Sequence, residues 1–265
     1  MTGYALSISD IEVERYRLMA EMARELEADA WKLAGIVPGA VVADVGCGPG
    51  AVCVVMAELV GPAGRVIGIE RDEAALAAAR QVVNGARAAN VELRCGTATA
   101  TGLAASSVDV AVLRHVLAHN GGQEQAIVRH LASRVRPGGC VYLVDTDITA
   151  FRVLDMDSGL ADIGDRYTKF HQVLGNNPSV GLRLGKLITE AGLDLLRHLG
   201  RYQIFEPPPG LRAPPWAARD AMLAAAAVTR ADLARWEAAF ARTDAQTPRP
   251  TMFNPQFIAI GRRRT

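Results

Sequence analysis

The feature that most restricts the fold of this chain is a short apolar run that ends in a glycine-rich turn. Ala40-Val41-Val42-Ala43-Asp44-Val45 is rich in β-branched residues and bounded by glycines, which predicts a buried strand. Gly46-Cys47-Gly48-Pro49-Gly50 follows at once, and an apolar helix begins near Ala51. Gly46 lets the chain turn sharply, and Gly48 and Gly50 let backbone approach a ligand with no Cβ in the way. The helix presents free N–H groups at its N-terminus, which suit a carboxylate or a phosphate.

The same alternation continues along the chain. Gly61-Pro62-Ala63-Gly64 ends the helix, and Val66 to Glu70 reads as a second strand. Asp72 caps a helix that ends near Asn84-Gly85. Val91 to Cys95, Val108 to Leu113 and Cys140 to Asp145 read as further strands, with a helix over roughly Gln123 to Arg134 stopped by Pro137-Gly138-Gly139. Upstream, Ser9 and Glu12 form a capping box for a helix reaching about Leu33. After Asp145 the pattern loosens. A helical insert is expected from Asp155 to Leu174, a helix from Val180 to Gly192 and a strand near Arg201 to Phe205. A second helical insert opens at Pro207-Pro208-Pro209, and Phe257 to Ile260 is a last strand. The prediction is an α/β protein: a Rossmann-like, seven-stranded, mostly parallel sheet with helices on both faces, plus helical lid inserts.

Composition narrows the function classes. The formal net charge is +1, which argues against a general affinity for nucleic acid or acidic membranes. Apolar runs such as Ala51 to Val60 are too short to span a bilayer, and Met1 to Tyr4 does not open a signal peptide. The four cysteines form no C-x-x-C pair and read as buried free thiols in a reducing cytosol, so a cytoplasmic location is expected.

The turn alone leaves a dinucleotide open as ligand, because Gly46-Cys47-Gly48-Pro49-Gly50-Ala51 fits G-x-G-x-x-G/A. Glu70, ending the second strand, suits ribose hydroxyls but is shared with nicotinamide enzymes. Asp44 separates the two readings. It lies two residues before Gly46, where dinucleotide binders usually carry an apolar residue, and an acid there suits a cationic ligand.

At this point the sequence resembles the class I S-adenosylmethionine-dependent methyltransferases. The matching stretches are Val41 to Gly50, Gly64 to Glu70, Gly96-Thr97-Ala98, Asp109 to Arg114 and Val135-Arg136-Pro137-Gly138-Gly139. The flavour is that of the ubiquinone/menaquinone-biosynthesis and small-molecule natural-product subgroup. The resemblance implies S-adenosyl-L-methionine as cofactor, with S-adenosyl-L-homocysteine as product. It implies that the loop Gly46, Cys47, Gly48 and Gly50 cradles the methionyl part with Asp44 beneath. Glu70 would hold the ribose, Arg71 would flank the adenine, and Thr97 and Ala98 would contact the adenine edge. Position 97 commonly carries Asp in the family, so Thr97 is a departure. Arg114 and His115 would line the methyl-transfer side, His119 would order the loop, and Tyr16 would close over the cofactor. The chain then divides into an N-terminal helical cap (1–35), a cofactor-binding core (36–147) and substrate inserts with the last strands (148–265).

Methyl transfer needs a base only where the acceptor must lose a proton. His115, just past the fourth strand, is the first candidate; His171 and Tyr167, four residues apart on one predicted helix face, are lid candidates. Asp145 and Asp147 come second. His119 follows His115 at i+4, but Val116 stands where a zinc motif needs Glu, so no metal is expected. The expected acceptor is a small, largely apolar organic molecule methylated on oxygen, nitrogen or carbon, with no nucleic-acid or membrane partner and a homodimer left open. Asn254-Pro255-Gln256-Phe257 resembles an amino-methylation motif but stands before the wrong strand. An arsenite methyltransferase would need converging thiols, and Cys140 starts the fifth strand at the far end. The competing readings are a non-methylating enzyme such as a cyclase on the same fold, and a nicotinamide-dependent oxidoreductase.

Overall fold

Strands that carry valine and isoleucine on both sides leave no face for water, so they must lie side by side beneath helices. The computed structural model describes residues 10–265, and the cap expected at Ser9 lies outside them. In chain order the elements are α1 (Asp10–Leu26), α2 (Ala28–Ala34), β1 (Val41–Val45), α3 (Ala51–Val60), β2 (Arg65–Glu70), α4 (Glu73–Gly85), β3 (Val91–Cys95), β4 (Val108–Arg114), α5 (Glu124–Arg134) and β5 (Val135–Thr146). Then come β6 (Arg152–Leu154), α6 (Ile163–Val173), α7 (Leu184–Glu190), β7 (Asp194–Phe205), α8 (Pro214–Ala217), α9 (Arg219–Ala224), α10 (Arg230–Ala245) and β8 (Thr251–Arg262).

The strands form one sheet in the order β3-β2-β1-β4-β5-β8, parallel from β3 to β5 and antiparallel at β8. β7 pairs with β8 on its other side. The expected seven strands gain an eighth: β6 pairs Arg152 to Leu154 with Phe253 to Thr251, continuing the side of β8 that β5 leaves free. β7 and β8 each run for 12 residues, well beyond the segments expected from sequence. Interruptions such as Gly200 and Pro255 mask them in the sequence pattern.

Side chains alternate across the sheet as the pleat requires. Val42, Val110, Val112, Tyr142, Val144, Ile258 and Ile260 face one core, with Trp31, Cys53 and Met56 above them. Ala43, Val45, Ala111, Leu113, Leu143 and Ala259 face the other, under Ile127, Leu131, Leu184 and Ile188. A third core belongs to the inserts and gathers Leu160, Tyr167, Phe170, Met222, Trp236 and Phe240. The helix expected to run to Leu33 is broken at Glu27, whose side chain turns inward and is wholly buried. Among the described residues no helix is long and apolar enough to cross a membrane.

Candidate active site

The turn after β1 is tied to β2. Gly46 N–H donates to Ile69 O at 2.7 Å, and Gly46 has φ +73°, a conformation that L side chains rarely adopt. A Cβ there would also overlap Val116 Cγ2, so residue 46 must be glycine on two counts. Gly48 N–H donates to Glu70 Oε2 at 3.0 Å, while Glu70 Oε1 accepts from Arg71 N–H and Asp72 N–H at 2.7 and 2.9 Å. Glu70 thus orders the turn as well as ending β2, and its remaining lone pairs stay available to ligand hydroxyls. The Tyr16 ring lies over the turn, with Cε1 3.7 Å from where a Cβ on Gly48 would stand. Gly50 is the N-cap of α3, and a Cβ on it would press on Ala79 of α4.

A cavity of about 1270 Å³ opens above the carboxyl ends of the strands. Pockets for one small molecule commonly occupy about 300–1,000 Å³, so this one has room for a donor and an acceptor together. Its core wall carries Tyr16, Asp44, Gly46, Cys47, Gly48 and Glu70, then Arg71, Thr97 and Ala98, and finally Arg114, His115 and His119. Tyr167 and His171 from α6 line the same cavity. Thr97 sits in a tight bridge with Ala100, its Oγ1 3.4 Å from Thr99 Oγ1.

Burial sets the electrostatics. Asp44 is 3% exposed, and Cys53 Sγ–H donates to its Oδ2 at 3.3 Å. Desolvation raises its pKa to about 6, against the opposing bond from Cys53 and the charge of Arg114. Arg114 Nη2 is held by Glu27 Oε1 at 2.6 Å. Glu27 also accepts from Gln256 Nε2, Trp31 Nε1 and Tyr142 Oη at 3.1, 3.1 and 2.7 Å. One buried carboxylate therefore locks the break between α1 and α2 onto β4, β5 and β8, and its charge is matched by a guanidinium. Nothing in the sequence singles out Glu27, which stands among exposed charged residues.

Burial favours the neutral form of the three histidines that line the cavity. Burial, then the Arg114 charge, pulls His115 down to about 3. Burial first also pulls His119 and His171 down to about 4. His115 has φ +55°, and its N–H donates to Val144 O at 2.8 Å. His119 packs edge-on to His171, with ring centroids 4.9 Å apart. His171 also stands edge-on to Tyr167 at 4.3 Å, and burial pushes the Tyr167 phenol upward. Asp145 behaves in the opposite sense. It is fully buried, lines the cavity and accepts from Ala118 N–H and Thr146 N–H at 3.1 and 3.0 Å. Burial outweighs these bonds and raises its pKa to about 7. Arg15, 7% exposed, adds a cation to the same cavity wall. Its place on α1 follows a helical pattern, but its inward direction is not readable from that pattern.

The donor set matches a zwitterionic nucleoside ligand: an acid beneath a glycine turn, an open helix N-terminus, and a second acid at the next strand end. Three of the cysteines (Cys47, Cys53 and Cys140) are buried and Cys95 is exposed; all four are free thiols. Cys47 lines the cavity, Cys53 bonds to Asp44 beneath the turn, and Cys140 begins the apolar part of β5.

Comparison with known proteins points the same way. A family model described as a methyltransferase domain matches residues 36–175. An uncharacterized 37.1 kDa protein in transposon TN4556 of Streptomyces fradiae is 32% identical over 157 residues, 58% of this chain and 44% of that protein. An arsenite methyltransferase of Halobacterium salinarum is 34% identical over 117 residues, 44% of this chain and 30% of that protein. The chain thus spans less than half the length of these curated relatives. Among solved structures, geranyl diphosphate C-methyltransferase from Streptomyces coelicolor superposes with a TM-score of 0.55 at 15% identity, covering 96% of this chain and 82% of that one.

Proposed function

This chain belongs to the methyltransferase-domain family, and on that premise we propose that it is an S-adenosylmethionine-dependent methyltransferase acting on a small, largely apolar organic acceptor. The observation that carries the reading is one cavity lined both by the glycine turn, Asp44 and Glu70 and by Tyr167 and His171 of the insert. The cofactor supplies a methyl group activated by a sulfonium. Asp44, Gly46, Gly48 and the N-terminus of α3 would hold its amino-acid end, Glu70 its ribose, and Arg71, Thr97 and Ala98 its adenine.

The chain's own part is to position the acceptor, exclude water and take up a proton where the acceptor has one to lose. Asp145 is the base we assign, because it is a carboxyl among the cavity-lining residues at the carboxyl end of β5, and burial raises its pKa toward neutrality. His115, at about 3, serves as cavity wall. Arsenite, the substrate named for one relative, is a weaker candidate: among the described residues Cys47 is the one cysteine that lines the cavity.

The test is incubation with methyl-labelled S-adenosylmethionine and a panel of apolar oxygen, nitrogen and carbon acceptors, beside calorimetry with S-adenosylhomocysteine. Label in the extracted acceptor is expected. No label with any acceptor, together with no binding of S-adenosylhomocysteine, would reject the reading. Asp145→Asn should lower kcat and leave S-adenosylhomocysteine affinity in place.

A further inference from the structure

The insert wall contains a hydrogen-bond relay that dictates which face of His171 carries its hydrogen. Gly121 N–H donates to Asn176 Oδ1 at 3.3 Å. That contact orients the amide, so its nitrogen Nδ2 faces His171 Nδ1 at 3.0 Å. An amide nitrogen only donates, so Nδ1 accepts and the hydrogen of the neutral ring sits on Nε2. The relay is held tightly. A Cβ on Gly121 would collide with the Gly175 carbonyl oxygen, so only glycine lets the loop after β4 approach the end of α6 this closely. Asn176 N–H is itself tied to His171 O at 2.9 Å.

His171 is 2% exposed and forms part of the cavity wall. Its Nδ1 is used, but Nε2 has no hydrogen-bond partner among the described residues. Native proteins rarely leave a buried N–H unanswered, and the place where one occurs calls for an acceptor.

We propose that Asn176 is a positioning residue that locks His171 as the Nε2–H tautomer, and that this N–H binds an oxygen of the methyl acceptor, in a carbonyl, carboxylate or phenolic group. The inference rests on the cavity being the acceptor site. His171 is then a hydrogen-bond donor and not a base, and burial keeps it neutral by pulling its pKa to about 4. An ammonium placed against the same wall would meet a second donor, so amine-bearing acceptors are disfavoured at this point.

The experiment uses the full chain labelled with nitrogen-15 at histidine, saturated with S-adenosylhomocysteine at pH 8. The wild-type His171 spectrum is expected to show a protonated Nε2 and a bare Nδ1. Asn176→Asp is isosteric and still accepts from Gly121 N–H, but its carboxylate draws the hydrogen to Nδ1 and reverses the pattern. Acetophenone, an apolar carbonyl probe, should shift the Nε2–H resonance in the wild type. It should bind at least about tenfold more weakly to Asn176→Asp and His171→Leu. His171→Gln, whose amide nitrogen can reach the Nε2 position, should keep most of the affinity. Unchanged melting temperatures and S-adenosylhomocysteine affinity show that the variants are folded.

A wild-type Nδ1–H tautomer overturns the proposal. So does equal acetophenone binding by wild type and Asn176→Asp, no acetophenone binding by the wild type, or benzylamine binding as tightly as acetophenone. If the wild type fails to bind S-adenosylhomocysteine, the methyltransferase reading falls by itself, and the tautomer and the ketone response are then read on the ligand-free chain.

Discussion

The two walls of the cavity are made differently. The cofactor-side wall is built around backbone: a turn with positive φ at Gly46 and Gly48, hydrogen-bonded to the strand beside it and resting on residues with almost no exposure. The insert-side wall is side chain: a small core around Trp236, laced by arginine–aspartate pairs such as Arg235–Asp162, Arg242–Asp157 and Arg212–Asp244. A backbone site tolerates little change, because its turn is tied directly to the sheet, as Gly46 N–H is to Ile69 O. A wall with its own core can change its lining without disturbing the donor site, which suits a scaffold that meets different acceptors.

That contrast can be broken by substitution. The largest effect is expected for Gly46→Val, which both strains the turn and overlaps Val116. Calorimetry should find S-adenosylhomocysteine binding weakened at least about a hundredfold, about 2.7 kcal/mol, with the far-ultraviolet spectrum retained. Unchanged affinity would mean the turn does not touch the ligand. Trp236→Ala empties the centre of the insert core, where the indole is fully buried. A loss of about 3–5 kcal/mol is expected in the stability of that region by hydrogen exchange. S-adenosylhomocysteine should bind as before; if it does not, the two walls unfold as one unit.

Asp44 sharpens the comparison through pH. The carboxylate that suits a cation is lost as pH falls below about 6. Affinity for S-adenosylmethionine should then weaken by up to about tenfold per pH unit, and Asp44→Asn should abolish that dependence. Stability runs the other way. Asp44 and Asp145 both have raised pKa values, about 6 and about 7, so the folded chain binds their protons more tightly than the unfolded chain does. The ligand-free protein should therefore lose stability as pH rises from the unfolded carboxylate range, about 4, through 7. Thermal melts at pH 5 and pH 8 read this directly, and Asp145→Asn should flatten the difference. The smallest effect is expected at Arg242→Ala. Its pair with Asp157 is exposed on the arginine side, so only a slight loss in melting temperature is expected, and salt should reduce it further.

Much of the cofactor wall is legible in the sequence because its signals are short-range. The glycine turn, Asp44 and Glu70 lie close together in the chain, and parallel pairing of β1 with β2 brings them to one edge. A glycine pattern does not say which glycine faces outward, and the structure makes Gly50 the N-cap of α3 beside Ala79. Asp145 falls at the cavity edge of the sheet and ranks below His115 on sequence grounds, since the ordinary pKa of histidine lies nearer neutrality than that of a carboxylate. Glu27 is invisible: its partners lie 4 to 229 positions away.

The sequence by itself determined the alternation of strand and helix, the turn, and the two acids at strand ends, because periodicity and backbone dihedral preference are local properties. The tertiary structure alone decided which carboxylate is raised toward neutrality, which histidine nitrogen carries the hydrogen, and which inserts face the turn. Those depend on desolvation and on partners drawn from distant segments, and such sums exist only once the chain has closed around them.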